Sequence, residues 1–140
     1  MNKAALLEAM DYQPEPSEWG YSVEELRRAF GGNASVIAEY REVDYSGVYA
    51  VAHKWPDGSV SILTDYFGSC CGCCAYQAAS GSGDVRSLVE ASVRNARVFT
   101  SEDEAKTFIR TGTDDAFEFS HRAAASLLTP DGRWSLGGES

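Results

Sequence analysis

Between residues 34 and 65 apolar and polar positions alternate with a period of two, the mark of strands that bury one face. Three runs stand out, 34–44, 48–55 and 59–66, separated by Tyr45-Ser46-Gly47 and Pro56-Asp57-Gly58. Pro-Asp-Gly presets φ at its first residue and admits a left-handed backbone at its last, so it reads as a hairpin turn. The pattern predicts an antiparallel meander of three strands. One face of the middle strand carries Val48, Ala50, Ala52 and Lys54; the other carries Tyr49, Val51, His53 and Trp55. The second set is bulkier and is the face expected to lie under helices. In the third strand Val60 and Ile62 alternate with Ser61 and Leu63, which predicts burial on both faces.

On either side of the meander the period lengthens to that of helices. Residues 2–10 are rich in Ala, Leu and Glu and predict a short helix, broken before Pro14 and Pro16. Ser22 and Glu25 form a capping box; Leu26 and Phe30 follow as an i, i+4 pair, and Gly31-Gly32 ends the helix. Beyond the sheet, residues 78–83 read as a glycine-rich connector. Asp84 is expected to cap a helix with Val85, Leu88, Val89, Ser92, Val93 and Ala96 on its inner face. Residues 97–99 are a candidate fourth strand. Ser101 and Glu104 make a second capping box, whose helix turns Ala105, Phe108 and Ile109 inward and stops at Gly112. Residues 113–128 read in two ways. One is a helix with Phe117, His121, Ala124 and Leu128 on a face; the other is a short strand at 117–119 and a helix from Ser120. Residues 129–140 read as a loose C-terminal tail with Trp134 as its anchor. The expected fold is α+β: one domain over 1–140, a three- to four-stranded antiparallel meander, and helices packed mainly on one face.

Charge narrows the class of partner. The chain has 140 residues and a formal net charge of −9, with 12 basic residues scattered along it. A track for a phosphate backbone needs clustered Lys and Arg, so direct nucleic-acid binding is disfavoured. An acidic surface suits a basic protein partner. No apolar run approaches the roughly 18 residues of a membrane helix, and residues 1–10 lack the apolar stretch of a secretory signal. At this length a core forms without help from disulfides or metal.

The candidate chemistry is concentrated in one place. All four cysteines, Cys70, Cys71, Cys73 and Cys74, fall within residues 70–74 as two overlapping C-x-x-C pairs. Thiolates at this spacing are common zinc ligands. Adjacent residues point apart, so these four do not close one tetrahedron alone. A zinc site would draw on Cys70 and Cys73 with His53, His121 or Asp65, or on a matching pair from a second copy across a two-fold axis. A second reading is a thiol–disulfide pair, Cys70/Cys73 or Cys71/Cys74, acting in redox exchange or simply fixing the loop. A third is that the cysteines are small buried hydrophobes in a tight turn. Tyr66, Phe67 and Trp55 beside the segment are candidates for a protein-binding surface.

The stretch from Trp55 to Cys73, ending Asp65-Tyr66-Phe67-Gly68-Ser69-Cys70-Cys71-Gly72-Cys73, resembles a segment of small uncharacterised proteins of actinobacterial phages. Those join a strand to an Asp-x-Tyr/Phe-Gly-Ser-Cys run with a second cysteine three residues on. Val98-Phe99-Thr100-Ser101-Glu102-Asp103-Glu104-Ala105 is similar to their later helix start. Cys70 and Cys73 match the pattern, whereas Cys71 and Cys74 stand where Ser and Asp are expected. The resemblance covers about the middle half of the chain. It implies a phage accessory protein in the host bacterial cytoplasm that binds a host protein, and it brings no catalytic activity with it.

Overall fold

The computed structural model describes residues 1–15, 21–42, 47–67, 81–112 and 119–136. Helix α1 (Lys3–Glu8) is capped by Asn2, whose side chain accepts from Ala5 N–H. Two 3-10 helices, Val23–Arg28 and Gly31–Asn33, lead into strands β1 (Ser35–Arg41), β2 (Gly47–Lys54) and β3 (Val60–Phe67). Helix α2 (Ser82–Arg94), strand β4 (Arg97–Phe99), helix α3 (Glu102–Thr111) and helix α4 (His121–Ala125) follow. The strands form one antiparallel sheet in the order β1-β2-β3-β4, so the α+β meander expected from the alternation is the observed fold, with the fourth strand present.

The β2–β3 hairpin turns as its sequence predicts. Trp55 N–H donates to Ser59 O at 2.9 Å, Asp57 Oδ1 accepts from Ser59 N–H, and Gly58 takes φ +91°, where a Cβ would be strained. Opposite β2, the pairing of β1 slips between Val36 and Ala38; this bulge turns both Ile37 and Ala38 toward one face.

Helices cover both faces of the sheet, which corrects the expectation of one covered face. On the first face Tyr49, Val51, Trp55, Leu63 and Phe67 pack with Leu6, Val23, Leu26 and Phe30 and with Val85, Val89 and Val93 of α2. On the second, Ala38, Val48, Ala50, Ala52, Val60 and Ile62 pack with Ala105, Ile109, Phe119, Ala123, Ala124 and Leu127. Small side chains on β2 do not mark a solvent face here. They meet the alanines of α4, and small residues on both sides let helix and sheet approach closely. Residues Val60 to Thr64 of β3 are buried throughout, as a strand covered on both faces must be.

Three local expectations change. The Ser22 box opens a 3-10 helix: Ser22 Oγ accepts from Glu24 N–H at 3.3 Å, while Glu25 turns inward. Helix α2 begins at Ser82 after Gly81, with Asp84 inside its first turn. Residues 129–136 are tied down. Thr129 N–H donates to Arg133 O, Ser135 N–H to Leu127 O, and Glu39 N–H on the β1 edge to Ser135 O. Trp134 is the anchor, its Nε1–H donating to Glu102 Oε1 at 2.9 Å. Helix α4 starts after Ser120, matching the second reading of 113–128; residues 113–118 and 137–140 lie outside the described residues.

Candidate partner surface at one end of the sheet

Antiparallel pairing brings the end of β1, the start of β2 and the end of β3 to the same edge of the molecule. Strand β3 ends there at Phe67, three positions before Cys70 in the sequence. On the second face of this end, Tyr66 sits opposite Val48 and is 53% exposed, although residues 60–64 before it are buried. Half-buried Tyr40 of β1 lies across the same face. Arg122 of α4 completes the group. Its Nη1 and Nη2 donate to the two oxygens of Glu42 at 3.2 and 3.3 Å, the fork geometry that suits a carboxylate. The hydrogen bond from Arg122 holds the Glu42 carboxyl below its ordinary pKa, and the bond to Glu42 raises that of Arg122; both tyrosine hydroxyls lie within electrostatic reach of its guanidinium.

Glu42 also fixes the start of β2. Its Oε1 accepts from Val48 N–H at 2.7 Å, and its side chain lies where a Cβ on Gly47 would fall, so residue 47 has no room for a side chain. On the first face of the same end, Arg41 stacks over the Phe67 ring at 4.2 Å and pairs with Glu24 at 3.5 Å. Asp65 accepts from Ser92 Oγ and from Tyr66 N–H, each at 2.8 Å, and so ties the strand end to α2.

The residues singled out in the sequence separate. Of the expected partner surface, Tyr66 alone is exposed. Phe67 is buried under Arg41. Trp55 is buried at the opposite end of the sheet, and its Nε1–H donates to Ser61 Oγ at 3.0 Å. His53 and His121 lie on opposite faces: His53 contacts Phe30 and donates from Nε2 to Arg27 O at 3.1 Å, whereas His121 packs on Phe108 and donates to Phe108 O at 3.0 Å. One zinc ion cannot take both imidazoles, because the sheet stands between them. Cys70, Cys71, Cys73 and Cys74 lie outside the described residues. Among the described residues no group of three or more His, Cys, Asp or Glu side chains gathers where it could hold a metal ion.

Sequence reasoning missed Glu42 and Arg122. Glu42 and Arg122 are 80 positions apart, and no spacing rule joins a strand end to a helix face at that distance. No described helix is long and apolar enough to cross a membrane. Compared with known proteins, the chain matches no family model, no curated protein and no solved structure.

Proposed function

We propose that this protein is a non-enzymatic binding module that meets a protein partner with the end of the sheet bearing Tyr66, Tyr40 and Arg122. The observation that carries this reading is the exposure of Tyr66 on a strand whose residues 60–64 and 67 are buried, just before the cysteine-rich segment in the sequence. Tyrosine and arginine supply much of the energy of protein interfaces, since each offers a large apolar surface with a polar tip. The net charge of −9 favours a partner with a basic surface. Residues 70–74 adjoin this surface in sequence and supply a further contact or half of a metal site. The resemblance to actinobacterial phage proteins supports reading the module as a phage accessory protein, with the partner a host or phage protein in the bacterial cytoplasm.

Affinity capture from an actinobacterial lysate tests the reading, with wild type, Tyr66→Ala and the double variant Cys70→Ser/Cys73→Ser as parallel baits. The expected result is one protein retained by wild type and lost by Tyr66→Ala, with the melting temperature unchanged. Equal retention by wild type and Tyr66→Ala contradicts it. Zinc or iron that copurifies with wild type and is lost in the cysteine variant assigns the segment to metal.

A further inference from the structure

We propose that His53 is an acid-sensitive latch: proton uptake by its ring detaches the Val23–Arg28 helix from the sheet while the strands stay paired. The ring is 1% exposed. Its Nε2 lies 3.1 Å from the carbonyl oxygen of Arg27, which fixes the neutral tautomer with the hydrogen on Nε2 and the lone pair on Nδ1. Nδ1 is buried and has no hydrogen-bond partner among the described residues. The edge of Phe30 closes the pocket, its centroid 4.9 Å away at 86°.

Among the described residues nothing is placed to accept a second N–H from this ring. From β1 the ring faces Val36, and from β3 it faces Ser61, whose hydroxyl already accepts from Trp55 Nε1. The nearby carboxylates are engaged elsewhere: Glu39 by Arg27 and Tyr49, Glu25 by Tyr12, and Glu24 by Arg41. Lys54, the next residue of β2, pairs with Glu102. A proton on Nδ1 therefore creates a donor and a charge in a buried pocket with no acceptor in place among the described residues. Burial already holds the ring to a pKa of about 4, against 6.5 for a free histidine.

Strand β2 is hydrogen-bonded on both edges and cannot yield cheaply. The six-residue 3-10 helix rests on the sheet through Val23, Leu26, the His53 contact and the partly exposed ion pairs Arg27–Glu39 and Glu24–Arg41, and it has no ladder of strand partners, so it is the element that moves. The same helix carries Glu24, which holds Arg41 over Phe67. Release therefore loosens the strand end from which the cysteine segment departs.

Amide hydrogen exchange near pH 7 and near pH 4.5, expressed as protection factors, tests the latch. Ala29 N–H and Asn33 N–H, bonded to Leu26 O and Phe30 O, report on the helix and its exit; amides of β2 and β3 report on the sheet. The expected result is a loss of roughly fiftyfold in protection at the helix sites, which stay less protected than the sheet sites at both pH values, with no such loss in His53→Gln. Glutamine keeps an N–H donor and does not titrate. The latch is overturned if the helix sites keep their protection, if helix and sheet sites share one protection factor near pH 4.5, or if His53→Gln behaves as wild type. Should His53→Gln not fold, wild type decides: a ring midpoint well below 6.5 together with the loss of helix-site protection supports the latch, and a midpoint near 6.5 overturns it.

Discussion

The two faces of the sheet are both buried and are built on different principles. The first carries large side chains with polar tips, and each tip needs a partner. Tyr49 Oη donates to Glu39 at 2.5 Å and Tyr12 Oη to Glu25 at 2.7 Å; His53 and Trp55 find Arg27 O and Ser61 Oγ. Burial, then the adjacent carboxylate, pushes both tyrosine pKa values up. The second face is small and dry. Ala38, Ala50 and Ala52 meet Ala123 and Ala124, three phenylalanines pack at centroid distances of 5.1 and 5.8 Å, and the polar link is Thr64 Oγ1 accepting from Ser120 N–H at 2.9 Å. The first face should therefore answer to protons and the second to volume.

Truncating the aromatic that closes the first face should have the largest effect. Phe30→Ala removes a ring packed edge-on against both His53 and Trp55 and should cost about 3–5 kcal/mol in denaturant unfolding. Acid comes next. The folded His53 pKa lies below the unfolded value of 6.5, so unfolded chains bind more protons and stability falls with pH. The loss should reach about 3 kcal/mol between pH 6.5 and about 4, and His53→Gln should remove that component. On the second face Ala52→Leu should cost about 1–3 kcal/mol by overpacking against α4, with the same pH dependence as wild type. Equal pH slopes in wild type and His53→Gln would erase the contrast between the faces. The smallest effect belongs to Arg122→Ala. Its side chain is 62% exposed, so the ion pair with Glu42 is screened and its loss should cost less than about 1 kcal/mol. Because Glu42 has a lowered pKa, that small contribution is present above the ordinary carboxylate value of 4.5 and fades as pH falls through the folded one.

The sheet could be read from the chain because its signals are local. Alternation marks β1 to β3, Pro56-Asp57-Gly58 sets the hairpin, and the inner face of α2 shows the helical period. The covering of the second face could not be read, because alanines signal burial weakly on their own; their partners, Ala123 and Ala124, lie some 70 residues away in sequence. Strand parity puts His53 on the first face, but no rule tells which face α4 will cover, so the imidazoles could be imagined together. Glu25 has the spacing of a capping residue, yet the buried Tyr12 hydroxyl needs an acceptor and claims it. Trp55 reads in two ways, as part of the covered face of β2 and as a candidate surface residue; burial decides for the first, with Ser61 across the hairpin taking its indole N–H. At the candidate surface Tyr66 is legible from its place beside the cysteines and Tyr40 from the aromatic content of the strands, whereas Arg122 comes from a tertiary contact alone.

The central claim is that Tyr66 anchors a partner at the end of the sheet. Its most direct measurement is the Kd of the captured protein for wild type and for Tyr66→Ala, with folding of the variant verified by its melting temperature. The account predicts weakening by at least about tenfold, an interface anchor worth more than about 1.4 kcal/mol. Affinities within about twofold of each other, in two equally stable proteins, would contradict it.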